Sequence, residues 1–325
     1  MPMSLPRDLV DKIISGQCVL FLGAGATRDA GGPTGGELAT SLADHFQKTD
    51  IPNSDLRYFA DVLTGLPDVD REAVDGKIVE LLKRLDPCDG HRVVPTFPWK
   101  AIFTTNYDRL VEIAYETLNS LRGEFPVQDL KIILGKDLGS VIDSSQVCLY
   151  KLHGCISSIN KQNPLVLTTR DYENTKKKRG RMLRFLRSLG SHHAILFVGY
   201  SFVDQIISSL LYELEAESPY DSHRRMYVLI KDPSQSEIEC FGSRNIDCIP
   251  STFNEAFVEL AQYANQEDKK RYLSSRIPPI TSPGGDQVSL PTNLRIALEP
   301  QKIEILSPRQ LFSIRVNTSV RSFRC

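Results

Sequence analysis

The 325-residue chain is 41% hydrophobic and 24% charged, ordinary for a soluble globular protein and long enough for one large α/β domain or two modest ones. A formal net charge of -1 gives no whole-molecule field that would gather nucleic acid or an anionic membrane surface. The opening "MPMSLPRDLV" has no long apolar stretch behind a basic start, no later apolar run reaches the roughly 18–20 residues of a membrane span, and the seven cysteines form no C-x-x-C pair, so a reduced, cytoplasmic, zinc-free protein without a membrane partner is expected.

The first strand-like run, Val19–Leu22, leads straight into Gly23, Ala24, Gly25 and Ala26. Gly23 and Gly25 allow positive φ and leave no Cβ in the way of a phosphate. A helix starting near Thr27 or Gly36 would aim its amides at such an anion, worth roughly 0.3–1 kcal/mol. The third glycine of the dinucleotide fingerprint falls on Arg28, and no Gly-Lys-Ser/Thr follows, so a P-loop is excluded. A phosphate cradle and a plain tight turn both fit this loop. After the helical pattern Gly36–Gln47, residues 48–98 read as a helical or irregular insertion.

The run Ala101–Thr105 continues as "FTTNYDRL", which places Asn106 and Asp108 at a strand's carboxyl end, ahead of the helical pattern Arg109–Leu121. Capping that helix is one reading of the pair and chemistry is the other. Val147–Leu152 leads into "YKLHGCIS", putting His153 and Gly154 at the same edge. Residues 155–190 read as a second insertion. It carries the basic run Lys176–Arg187 over a helical stripe of Leu183, Leu186 and Leu189, either a solvated face or a docking surface. His192 and His193 precede the strand Ala194–Val198 and point opposite ways, which argues against a shared metal. That strand ends at Gly199 and Ser201, an anion or ribose contact or a helix cap.

Two further strands, Met226–Ile230 and Ile246–Ile249, and the helical pattern Phe253–Ala264 complete residues 1–275. Short strands buried on both faces and alternating with helices predict an α/β fold, a Rossmann-like doubly wound parallel sheet with helical insertions forming a cap. In such sheets ligands sit at the carboxyl ends of the strands, where each of these motifs lies. Residues 276–286 have the Pro/Gly/Ser texture of a linker. Residues 287–325, with "LRIALEP", "KIEIL" and "LFSIRV", read as a short β-like extension or an incomplete module.

Taken in order, the Gly-Ala-Gly loop, Thr-Thr-Asn-x-Asp, Leu-His-Gly and Gly-x-Ser resemble the sirtuin superfamily, over about residues 10–265. Two departures stand out. No cysteine lies between Cys155 and Cys240, where protein-deacylating sirtuins carry a four-cysteine zinc module, and "GGPTGGEL" replaces their Gly-Ile-Pro-Asp-Phe-Arg stretch. "TTNYD", "LTTRDY" and "GYSFVDQII" are similar instead to the bacterial sirtuin-like branch, whose members hydrolyse NAD in anti-phage defence.

The resemblance implies that NAD is the substrate and that no zinc is needed. It implies NAD contacts from Gly23, Ala24, Gly25, Thr27, Thr105, Asp108, Gly199 and Ser201, with Asn106 and His153 as catalytic residues. Nicotinamide leaves as a neutral molecule through an oxocarbenium-like state, so the enzyme orients ribose and water and takes a proton. Asn106 suits the first task. His153 suits the second, an imidazole having an ordinary pKa of about 6.5. The expected function is NAD glycohydrolase. The alternatives are an NAD-dependent deacylase lacking zinc and a non-catalytic module that senses NAD or ADP-ribose. A homo-oligomer and an activating protein or nucleic-acid-bound sensor are the candidate partners.

Overall fold

In the computed structural model, residues 5–120, 128–134, 145–160, 163–178, 180–199, 212 and 226–263 are described. The chain divides into two units, Met1–Ile280 and Thr281–Cys325. Residues 264–325, which include the second unit, the expected linker 276–286 and the tail 287–325, lie outside the described residues.

The strands β1 (Cys18–Leu22), β2 (Ala101–Thr104), β3 (Asp129–Ile133), β4 (Gln146–Lys151), β5 (Ala194–Val198), β6 (Met226–Ile230) and β7 (Ile246–Pro250) form one seven-stranded sheet in the order β3-β4-β2-β1-β5-β6-β7. Each neighbouring pair runs parallel. The chain starts in the middle with β1, fills one side, then crosses to the other at β5, so strand order reverses between β1 and β5. That is the switch point at which such sheets open a crevice.

Successive side chains of β1 serve opposite faces, which is why all five of its residues are buried. Leu20 and Leu22 join a core with α1 (Arg7–Ile14), α7 (Leu110–Ser120) and the last described helix, α11 (Phe253–Tyr263). Val19 and Phe21 join the opposite core, with Met182, Leu186 and Leu189 of α9 (Gly180–Gly190) and Phe241 of α10 (Gln235–Ser243). There Phe103, Phe21 and Phe197 line up across three strands, with Tyr150 stacked on Phe103 at 4.5 Å. Each such ring contributes on the order of 1.5–3 kcal/mol by burial.

A third core holds α3 (Gly35–Phe46), α4 (Leu56–Gly65) and α5 (Arg71–Leu82) together, with Leu165 and Leu167 from the second insertion. Arg71 latches the two insertions to each other. Its guanidinium bonds Asp75 at 2.9 Å, Asp171 at 2.8 Å and the Leu165 carbonyl at 2.8 Å. Burial alone would raise the Asp171 carboxyl, but the Thr168 amide and Arg71 outweigh it and hold it below the usual range. The second insertion does not act as one piece. Its helix α8 (Thr169–Lys178) meets α4, whereas α9 packs beneath the sheet. The basic run is therefore divided between two helices. The side chains of Lys176–Lys178, and Arg179 altogether, fall outside the described residues.

The short helix α6 (Asp89–Val93) tucks against α11. Its His91 is buried, 3.0 Å from the Cys88 thiol and edge-on to Phe253 at 4.7 Å. Burial lowers its pKa from 6.5 to about 4, against the pull of Asp108. The unfolded chain therefore binds a proton at this histidine between pH 6.5 and about 4 that the folded chain refuses. Stability from this group is complete above that window and declines as pH falls through it. Thermal unfolding followed from pH 7.5 to 4.5 should show the midpoint falling, with a shallower fall in His91→Phe.

Candidate active site

A cleft of about 650 Å³ runs along the carboxyl ends of the strands. Ala24, Gly25 and Thr27 follow β1, Thr105 to Asp108 follow β2, His153 follows β4 and Gly199 follows β5. The cap closes it with Leu56 and Arg57 of α4, Leu82 of α5 and Tyr172 of α8. Beyond β6 and β7 the wall continues through Lys231, Thr252 and Phe253. The expected site residues thus share one cleft, with two qualifications. Gly23 does not line it, its carbonyl instead holding the Asn106 amide, and Ser201 lies outside the described residues.

The glycine loop owes its composition to another backbone. A Cβ on Gly25 would stand 2.4 Å from the Gly199 Cα, and one on Gly199 would stand 2.4 Å from the Ala26 nitrogen. The Gly25 amide donates to the Gly199 carbonyl at 2.8 Å, and the Gly23 amide to Val198 at 2.8 Å. These two amides bind the β1 and β5 loops together at the switch point. The helix that follows, α2 (Ala24–Asp29), is only six residues long. Gly199 also has φ +63, which favours glycine. Gly199→Ala should therefore cost several kcal/mol, since neither backbone can turn aside; denaturant unfolding measures it, and a loss under about 1 kcal/mol would contradict this packing.

Asn106 is oriented by its partners. Its Nδ2 donates to the Gly23 carbonyl at 2.8 Å and to Thr27 Oγ1 at 3.0 Å. A carbonyl can only accept, so the amide nitrogen must sit there and Oδ1 is the end turned to the cleft. Thr27 in turn donates its hydroxyl to Asp108 Oδ2 at 2.5 Å, which leaves its oxygen to accept from Asn106. Asp108 Oδ1 accepts the Leu110 amide at 3.0 Å, at the start of α7. Helix capping and the site are therefore not alternatives for Asp108. One oxygen holds the helix and the other starts a chain of donors that ends by pointing the Asn106 carbonyl outward.

His153 is 3% exposed, and its ring meets Tyr172 edge-on at 5.1 Å. The Arg57 guanidinium lies over the same Tyr172 ring, 5.5 Å from its centroid. A stack thus runs from the cap to the end of β4. Carboxylates along the wall are tied to main-chain amides: Asp29 to Asn254, Asp55 to Arg57 and Tyr58, and Glu237 to Ser234. Arg57 and Lys231 bring positive charge to the cap side and to the end of β6. Tyr172 closes the quoted stretch "LTTRDY", whereas sequence reasoning missed Arg57, Lys231, Thr252 and Phe253, none of which sits in a motif. The position of Lys231 and Thr252 just past strands was the one signal that could have raised them. Asp171, beside Tyr172, serves the Arg71 latch.

Among the described residues, no three His, Cys, Asp or Glu side chains gather as a metal site, and no helix is long and apolar enough to cross a membrane.

The family model described as "SIR2-like domain" matches residues 100–249, from the start of β2 to the end of β7. The curated protein "NAD(+) hydrolase ThsA" of Bacillus cereus (strain MSX-D12) is 26% identical over 226 residues, which is 69% of this chain and 45% of that protein. The chain thus spans less than half the length of that relative. The solved structure "The Structural basis for Sirtuin Substrate affinity" is similar at a TM-score of 0.42 and 13% identity, covering 79% of this chain and 95% of that one. The strand-end motifs thus assemble in one cleft, and the stretch 100–249 is similar to a SIR2-like domain.

Proposed function

We propose that the cleft binds NAD and hydrolyses the bond between nicotinamide and ribose. The observation that carries this reading is the outward-facing carbonyl of Asn106, held in the same cleft as His153. The match to an NAD(+) hydrolase supports the choice of substrate. In this reading the pyrophosphate lies across Ala24–Thr27 and Gly199, the adenosine half extends over the ends of β6 and β7, and nicotinamide ribose meets Asn106 and His153.

The C1′–N bond breaks with its electron pair leaving on nicotinamide, and positive charge spreads over the ribose ring as in glycoside cleavage. Asn106 Oδ1 accepts a hydrogen from the attacking water or a ribose hydroxyl and fixes its direction. The water oxygen bonds C1′, and His153 takes the proton and passes it to solvent. The products are nicotinamide, ADP-ribose and a proton. The biological setting we propose is antiviral defence, in which NAD loss is the effect and self-assembly or an activating partner raises turnover. Incubating the purified chain with NAD, with and without an acetylated peptide, tests the reaction class. Equal amounts of nicotinamide and ADP-ribose without peptide are expected. Turnover only with peptide, giving an acylated ADP-ribose, would make it a deacylase, and binding without turnover would make it a sensor.

A further inference from the structure

Beneath the Asn106–Asp108 turn lies a charge pair that the proposed chemistry does not use. Lys151, at the end of β4, and Glu112, in the first turn of α7, meet at 2.7 Å with side chains 1% and 2% exposed. Lys151 Nζ also donates to the main-chain carbonyl of Asp108. Cys155, just past His153, donates its thiol to the same Glu112 oxygen at 3.6 Å. Burial alone would push the Lys151 ammonium down, yet Glu112, Cys155 and Asp108 together hold its pKa above the ordinary value.

Burying a full charge pair is a poor way to gain stability, because an apolar pair of similar volume commonly serves as well. What an apolar pair cannot do is donate to a carbonyl. The Asp108 carbonyl has no place in a helix or strand ladder, and the residue bearing it also bears the carboxylate that orders Thr27 and, through Thr27, Asn106. Fixing Asp108 at its backbone therefore fixes the direction of the Asn106 amide. We propose that the buried Lys151–Glu112 pair is a positioning device for the site: Glu112 holds Lys151, Lys151 grips the Asp108 carbonyl, and the grip keeps the Asn106 carbonyl aimed at the reacting ribose. The catalytic part of this inference rests on the proposed NAD hydrolysis, while the grip on the turn does not.

The test compares three full-length proteins: the wild type, Lys151→Met/Glu112→Leu, and Lys151→Gln/Glu112→Gln. The apolar pair keeps the volume but has no donor for the carbonyl, whereas the neutral amide pair still has one. The expected result is a kcat for NAD lowered on the order of 10²-fold in the apolar pair with KM changed by less than about threefold, and a large part of that loss restored in the amide pair. Hydrogen exchange supplies an independent readout. Amides of residues 105–110 should exchange at least about tenfold faster in the apolar pair, while β1 and β5 stay protected. Should the apolar pair not fold, Lys151→Met/Glu112→Gln replaces it, since it keeps a polar neighbour for Cys155 and still lacks the donor. Wild-type kcat and wild-type exchange at the turn in a folded donor-less variant would overturn the proposal and leave the pair a role in folding alone. An inert wild type would sink the NAD hydrolysis reading, and the exchange measurement would still decide whether the pair holds the turn.

Discussion

His153→Ala should lower nicotinamide release from NAD by roughly 10²–10⁴-fold, the usual contribution of a positioned base. The ring lies at the end of β4, buried against Tyr172, and the proposed reaction asks it to take the proton of the attacking water. Removing a buried ring also leaves a cavity, so the alanine variant should lose some stability as well. His153→Gln separates the two effects, because it keeps most of the volume and a hydrogen-bonding end but cannot serve as a base near neutral pH. Both variants should bind NAD within a few-fold of the wild type by calorimetry while turnover collapses. A folded His153→Gln enzyme that turns over normally would take the proton-accepting role away from this residue.

Asn106→Asp should be nearly as damaging, with a loss on the order of 10²-fold or more, although it changes one atom of the side chain. A carboxylate has no hydrogen to give to the Gly23 carbonyl or to Thr27 Oγ1, both now partners of the amide. The side chain must turn away or repel them, and in either event the acceptor aimed at the substrate is lost. The same logic reaches one step further back. Thr27→Val keeps the shape but cuts the path from Asp108 to Asn106, so it should lower kcat substantially with a modest change in KM. Thr27→Ser should keep most of the activity. Steady-state kinetics of the three variants check this; equal activity in Thr27→Val and Thr27→Ser would show that the relay does not orient Asn106.

The fold was readable where its physics is local. Ala194–Val198 and Met226–Ile230 are buried on nearly every side, so they appear as unbroken apolar runs with the bounds the structure has. β3 escaped notice because it pairs only with β4 and leaves Leu130, Lys131 and Ile132 partly exposed, which removes the run. The strand-end motifs were legible for a similar reason: a buried strand that breaks into polar residues marks the sheet edge where ligands bind.

What joins those motifs was not legible. Thr27 and Asp108 are 81 residues apart and Thr27 and Asn106 are 79 apart, and no spacing rule carries a distance across two parallel strands. Lys151 and Glu112 read as a strand residue and a helix residue with nothing to pair them. The glycine loop shows the limit most plainly. Gly25 did mark a close approach, but sequence could not tell that the approaching group was the backbone of Gly199.

The most direct test of NAD hydrolysis in this cleft is to follow the wild-type chain with NAD in water enriched in heavy oxygen and weigh the ADP-ribose formed. If Asn106 aims water at C1′ and His153 takes its proton, each nicotinamide released is matched by one ADP-ribose carrying one heavy oxygen at the anomeric carbon when quenched before exchange. No release of nicotinamide by the folded chain, or release in which the ribose carbon is captured by an acceptor other than water, would contradict it.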